Sequence, residues 1–344
     1  SVTPFLPNGD DGWYTTSPKI TLTTGDSRDK IYYRLNGGTE ERYTEPIYLF
    51  DGVWNLSYHS VDRHNNLEAT KYLDFKVDTD GPTSSMVVEP DIPSDTWYTS
   101  VPRITINTAH PNAVVEYKFN NDDYQVYTDP VFPPEGESNF FWRSRDQAGN
   151  TEMERSRAFK IDTIAPSMEY SIFPETPDGQ NGWYISNPTV TLSSPDAKAM
   201  YYSMDGGVLQ TYMNPFSVPD GTQTVRLLPI DKAGNQGEEI RFDLKIDTSI
   251  PTLNGSFSGW TYDKNKTSVW ISVAPTLIVE GSEGGMFINY SMNGGEGIEY
   301  TKPIQIEEGI TELTVQGVDH AGNQADPLQY YFKVDLKKPY VESF

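Results

Sequence analysis

The feature that most constrains this chain is that it is written four times. Asp62-Arg-His-Asn-Asn66, Asp146-Gln-Ala-Gly-Asn150, Asp231-Lys-Ala-Gly-Asn235 and Asp319-His-Ala-Gly-Asn323 recur at intervals of 84, 85 and 88 residues. Sixteen residues after each aspartate stands a second anchor, Lys76-Val-Asp78, Lys160-Ile-Asp162, Lys245-Ile-Asp247 and Lys333-Val-Asp335. A proline follows four residues later, at Pro82, Pro166, Pro251 and Pro339. Tyr33, Tyr117, Tyr202 and Tyr290 each precede a second tyrosine by ten residues. Near each start lies a tryptophan, Trp13, Trp97, Trp183 or Trp270, with a proline five residues on. Spacing this rigid means one fold repeated, and it places domains at 1–80, 81–164, 165–249 and 250–338. Residues 339–344 read as a linker strand or the start of a following repeat, so the chain is expected to be a segment of a longer array.

Between anchors the apolar residues alternate with period two, as in a half-buried strand. Ile20 and Leu22, Ile104 and Ile106, Val190 and Leu192, Leu277 and Val279 form one inward face. Leu56 and Tyr58, Phe140 and Trp142, Val225 and Leu227, Leu313 and Val315 form a second. Phe75 and Val77, Phe159 and Ile161, Leu244 and Ile246, Phe332 and Val334 form a third, with a lysine pointing outward between each pair. The strand carrying the first tyrosine runs into Asn36-Gly, Asn120-Asn, Asp205-Gly or Asn293-Gly, residues suited to the positive φ of a tight hairpin. No helical period competes. Six or seven short strands in about 85 residues predict an all-β chain, a tandem array of four immunoglobulin-like β-sandwich domains. Such small units have thin cores, which accounts for an aromatic content of 13%.

Taken together, Gly12-Trp13-Tyr14 and Asn181-Gly-Trp-Tyr184, the Asp-x-Ala-Gly-Asn turn and Lys-Ile-Asp-Thr-x-x-Pro resemble bacterial and archaeal Ig-like repeats over the whole chain. The resemblance implies an extracellular setting, on the cell surface or secreted, in surface layers, adhesins or accessory regions of polysaccharide-degrading enzymes. It implies spacer or binding roles without catalysis. Repeat 1 departs from the pattern at His64 and Asn65, where Ala-Gly is expected. Repeat 4 carries a longer approach, residues 255–268.

The candidate residues are weighed against plain structural duty. Asp62, Asp146, Asp231 and Asp319 sit between strands, where a carboxylate accepts backbone N–H groups of its own turn; that reading is preferred. Calcium at the joints is the sharper alternative, with Asp78, Asp162 and Asp247 as its ligands. One acid per joint and no Asp-x-Asp-x-Asp loop make a thin cage, so no cofactor is assigned. The tryptophans serve either as sugar-stacking platforms or as lids on the core, and their fixed distance to proline favours packing. Tyr33, Tyr117, Tyr202 and Tyr290 fall on the inward phase and are expected in the core. Asn55, Asn254, Asn265 and Asn289 begin glycosylation sequons.

Composition removes whole function classes. Without cysteine there is neither a disulfide framework nor a thiolate metal site. A net charge of −23 repels phosphate backbones and anionic lipid, so nucleic acid is not a partner. No run of 18 apolar residues offers a membrane-spanning helix, and no signal segment opens the sequence. The four histidines make no spaced metal pair, and no Ser-His-Asp set recurs, so the chain is not read as an enzyme. The expected partners are neighbouring repeats, other surface proteins or a polysaccharide. The leading reading is a structural spacer; the alternative is a set of polysaccharide- or protein-binding modules.

Overall fold

The computed structural model describes residues 1–93 and 95–342. Its regular structure is all-β apart from two single-turn 3-10 segments, Asp10–Gly12 and Lys264–Lys266. The chain divides into two compact units: Ser1–Ile164 with Ala233–Asn235, and Ala165–Lys232 with Gln236–Phe344. The described buried apolar residues form four separate clusters, one within each repeat span.

Repeat 2 shows the shared plan. Strand Ser84–Glu89 pairs antiparallel with Arg103–Thr108, and Val131 bridges to Ile104 on the far side. Facing them is a four-stranded antiparallel sheet in the order Gln125–Val126, Val114–Phe119, Gly136–Arg145, Arg155–Ile161. Repeats 3 and 4 reproduce both sheets, each with a third short strand on the smaller one, Phe216–Ser217 and Ile304–Gln305. In repeat 1 the larger sheet gains Trp13–Tyr14 as a fifth strand, parallel to Lys71–Val77. Residues 339–342 form no strand, and 343–344 lie outside the described residues.

The alternation translates directly into burial. Ile20, Ile104, Val190 and Leu277, with Val77, Ile161, Ile246 and Val334, are almost wholly enclosed. Full burial of each such side chain contributes about 1.5–3 kcal/mol. The hairpins also form as expected. Asn36, Asn120, Asp205 and Asn293 adopt φ between 48° and 50°. Each side-chain oxygen accepts an N–H of the adjacent strand, from Asn55, Asn139, Thr224 and Glu312 at 2.7–2.9 Å. Asparagine or aspartate is needed there because it tolerates the left-handed region and also carries the acceptor.

Two expectations about aromatics are corrected. The tryptophans join none of the four clusters: Trp13, Trp97 and Trp183 are half-buried, and Trp270 is 54% exposed. The next residue is the buried one, namely Tyr14, Tyr98 and Tyr184, each at most 5% exposed, while Ile271 packs on its cluster in repeat 4. This segment crosses to the larger sheet and runs parallel to the closing strand, pairing Tyr98 with Ile161 and Tyr184 with Ile246. That pairing fixes which neighbour faces inward. Likewise Tyr33, Tyr117, Tyr202 and Tyr290 pack against their clusters only half-buried. Three of these hydroxyls reach outward to Glu41, Gln125 and Gln210 on the edge strand.

In repeats 2, 3 and 4 the second tyrosine of the ten-residue pair has a larger role than the sequence disclosed. Backbone pairing holds Tyr127 to the larger sheet, yet its hydroxyl accepts the Ile106 N–H of the smaller sheet at 3.1 Å. Tyr212 does the same for Leu192 at 3.1 Å and Tyr300 for Val279 at 2.9 Å. These bonds tie the two layers together across the core. Replacing Tyr127 by Phe leaves the Ile106 N–H unsatisfied and is expected to destabilise repeat 2 by about 1–3 kcal/mol. Thermal unfolding checks this; a midpoint equal to that of the parent chain contradicts the cross-layer role.

Candidate functional site: the joints between repeats

The Asp-x-Ala-Gly-Asn turn is built by its aspartate. Asp146 Oδ1 accepts the Asn150 N–H at 2.8 Å, and Oδ2 accepts the Asn150 side-chain amide at 2.9 Å. Asp319 holds Gly322 and Asn323 in the same way. Asp62 holds His64 and Asn66, and these bonds keep its carboxyl below the usual range. Asp231 is buried at the equivalent place. The fourth residue needs positive φ, which Gly149 (97°) and Gly322 (105°) adopt. Asn65 takes it at 63° in repeat 1, which explains how that repeat dispenses with glycine.

What the turn does with the rest of its surface was not visible in the sequence. The Asn150 amide also donates to the carbonyl of Asp78, the last strand-end residue of repeat 1, at 2.9 Å. The Asp10 N–H of repeat 1 donates to the Ala148 carbonyl at 2.8 Å, and Arg145 pairs with the Asp10 carboxylate at 2.5 Å. The joint of repeats 3 and 4 repeats this. Asn323 donates to the Asp247 carbonyl at 2.9 Å, the Gln180 N–H to the Ala321 carbonyl at 2.6 Å, and the Asn181 amide to the His320 carbonyl at 2.9 Å. Ala148 and Ala321 are each 1% exposed. A Cβ on Gly9 would lie 2.3 Å from the Ala148 oxygen, and one on Gly179 would lie 2.4 Å from that of Ala321. Alanine and glycine occupy these places because two backbones meet there. His64, at the same turn position in repeat 1, is exposed.

The same joints gather charge. Asp78, His110 and Asp146 bring one ligand atom each within 4.8 Å of one another, as do Asp247, Glu283 and Asp319. His110 and Glu283 stand at one repeat position, thirteen residues after Trp97 and Trp270. Of the three sequence candidates for calcium, Asp78 and Asp247 therefore enter a cluster. Asp162 enters neither; its N–H donates to the Tyr98 carbonyl at 2.9 Å. Burial holds the Asp78 carboxyl above the usual aspartate range. The Asp80 N–H opposes this, and the neighbouring carboxylates of Asp146 and Asp51 add to it. Of the sequon residues, Asn254 and Asn265 are exposed, whereas Asn55 and Asn289 lie half-buried within strands of the larger sheets.

No family model matches the sequence, and no curated protein matches it. Solved structures similar to the chain include the fibronectin(III)-like modules of CbhA from Clostridium thermocellum, 10% identical, with a TM-score of 0.26 over 47% of this chain and 95% of that one. A 1.5-MDa bacterial ice-binding adhesin is 13% identical, with a TM-score of 0.27 over 75% and 99%. The SGBP-B protein of the mixed-linkage glucan utilization locus of Bacteroides ovatus, in complex with a mixed-linkage heptasaccharide, is 12% identical, with a TM-score of 0.18 over 96% and 98%.

Two outcomes follow for the joints. Because the folded Asp78 value lies above the unfolded one, the folded state takes up the proton more readily. Its contribution to stability is full below the unfolded value and is lost as pH rises through the folded one. Asp78→Asn is therefore expected to raise the unfolding temperature at pH 7 and to lose that advantage near pH 3, about one unit below the ordinary aspartate value; calorimetry at the two pH values checks it. Calcium takes six to eight oxygens, whereas each cluster offers three residues, and both oxygens of Asp146 and of Asp319 already accept hydrogen bonds. Adding a chelator is expected to leave the unfolding temperature unchanged; a fall of several degrees contradicts this.

Proposed function

We propose that this chain is a non-catalytic spacer of a cell-surface or secreted protein, a tandem array of four Ig-like sandwiches related to the bacterial and archaeal repeats its motifs resemble. The observation that carries the reading is the joint. The same turn docks a repeat onto its predecessor through main-chain carbonyls at Asp78 and again at Asp247. A region that must hold two things apart needs stiff connections more than a reactive site, and partly buried hydrogen bonds at a short linker supply stiffness. Proline in each linker removes further freedom. The acidic surface keeps such an array soluble and discourages adhesion between copies. Neighbouring repeats are its first partners, and other surface proteins or a polysaccharide are the partners the setting offers.

Stretching single molecules by their ends tests the reading. Four separate sandwiches of about 85 residues unfold one at a time, and each releases about 25 nm of chain at roughly 3.5 Å per residue, less the folded length. Four equal steps are expected. Two steps of double length would show that paired repeats, and not single ones, unfold as units.

A further inference from the structure

Two of the four repeats carry the same preformed loop ahead of the tryptophan. In repeat 1 the Asn8 Oδ1 accepts the Thr15 N–H at 3.0 Å, and in repeat 3 the Asp178 Oδ1 accepts the Ile185 N–H at 2.9 Å. The next N–H, of Gly9 or Gly179, donates to the carbonyl of Trp13 or Trp183 at 2.9 and 3.0 Å. The loop then turns through two residues of positive φ, Asp11 (45°) and Gly12 (82°) or Asn181 (53°) and Gly182 (79°). These bonds lie within one repeat, so the loop has its shape before a neighbour arrives. Repeats 2 and 4 have Pro93 and Lys266 four places before their tryptophans, where the loop has Gly9 and Gly179.

Each loop seats the turn of the following repeat. The N–H after the glycine, from Asp10 or Gln180, donates to the carbonyl of Ala148 or Ala321. The contact leaves no room on either side. A Cβ at Gly9 or Gly179 would come within 2.4 Å of those carbonyl oxygens, and one at Gly149 or Gly322 within 3.2 Å of the Asp10 or Gln180 nitrogen. Ala148 and Ala321 are themselves enclosed. The turn of repeat 1 breaks the pattern at both places, with His64 for the alanine and Asn65 for the glycine. Asn65 keeps the φ that the turn requires, so the turn still folds. What changes is its outer surface, which gains two side chains where the other turns have almost none.

We infer that the loop of residues 8–12 and its copy at 178–182 are docking surfaces selective for an Ala-Gly turn, so that a repeat with the turn of repeats 2, 3 or 4 is seated on them and one with the turn of repeat 1 is refused. Selectivity needs a penalty against the wrong partner as well as contacts to the right one. The contacts are main-chain groups that any such turn offers, so the penalty carries the discrimination. It comes from the Asn65 Cβ and amide and from the His64 imidazole. The series therefore has a direction: repeat 1 seats its successor and takes no seat on a loop-bearing predecessor. This selectivity holds whether the array acts as a spacer or as a set of binding modules.

Distances between spin labels test the selectivity, since the chain has no native cysteine to interfere. Ser27→Cys with Ser156→Cys spans the joint of repeats 1 and 2, and Thr222→Cys with Gln329→Cys spans that of repeats 3 and 4; all four residues are exposed. Both pairs are expected to give a narrow distance distribution. Ala148→His with Gly149→Asn writes the turn of repeat 1 into repeat 2. It is expected to broaden the first distribution about twofold, since domains move against each other unless an interface holds them, and to leave the second unchanged. Ala321→His with Gly322→Asn is expected to do the reverse. A gain of docking completes the test. The chain is extended by a copy of residues 165–255 joined to Ser1, which keeps the repeat spacing, and is labelled at Thr222 of the copy and at Tyr72. The native turn of repeat 1 is expected to give a broad distribution, and His64→Ala with Asn65→Gly a narrow one. The inference is overturned if the parent distributions are already broad, if both double variants stay as narrow as the parent, or if the added repeat gives the same width with either turn.

Discussion

The structure depends first on one carboxylate per repeat. The aspartate that opens the Asp-x-Ala-Gly-Asn turn fixes the orientation of the asparagine that closes it, and in the joints at Asp78 and Asp247 that asparagine amide is shared with the preceding repeat. One residue thereby sets a local loop and a long-range contact together. Without the aspartate the amide has no reason to point outward, and Ala148 and Ala321 have no shaped surface to present. Strand pairing explains each sandwich; this turn explains why consecutive sandwiches are more than beads on a string.

The cores obey a second constraint, scarcity. Eight or nine buried residues per cluster leave little apolar area to spend. The repeats compensate with aromatic rings whose polar ends serve the architecture: Tyr127, Tyr212 and Tyr300 bury a ring and clasp the opposite layer with the hydroxyl. Repeat 2 stacks Tyr117, Phe140 and Trp142, and repeat 4 gathers Phe257, Trp260, Tyr262, Tyr330 and Phe332.

How much was legible follows from the range of each interaction. Ile104 and Ile106, or Phe159 and Ile161, announce themselves because a strand's two faces are separated by single steps along the chain. Asn36-Gly and Asp205-Gly are legible because a turn is chemistry among neighbours. Tyr14 turns inward in place of Trp13 because the deciding contact is with Lys76 and Val77, over sixty residues away, in a parallel pairing that no local period reveals. The period places Tyr33 inward, and it packs against its cluster half-buried while its hydroxyl reaches out to Glu41. The joint was hidden for a deeper reason: Asn150 reads as a turn residue, and its second partner belongs to another repeat.

The main-chain character of the joint has a consequence for how such a molecule can change. The contacts common to both joints recognise carbonyl oxygens and N–H groups that every residue but proline possesses, and they share specific side chains at only a few positions: the aspartate and asparagine of the turn, its alanine, and the glycine that alanine meets. A duplicated or deleted repeat with the Ala-Gly turn would find a compatible neighbour at once, with no pair of matched surfaces to rebuild. Length thus becomes a heritable variable separable from everything else, and a single copy is free to drift while its ends still fit the series.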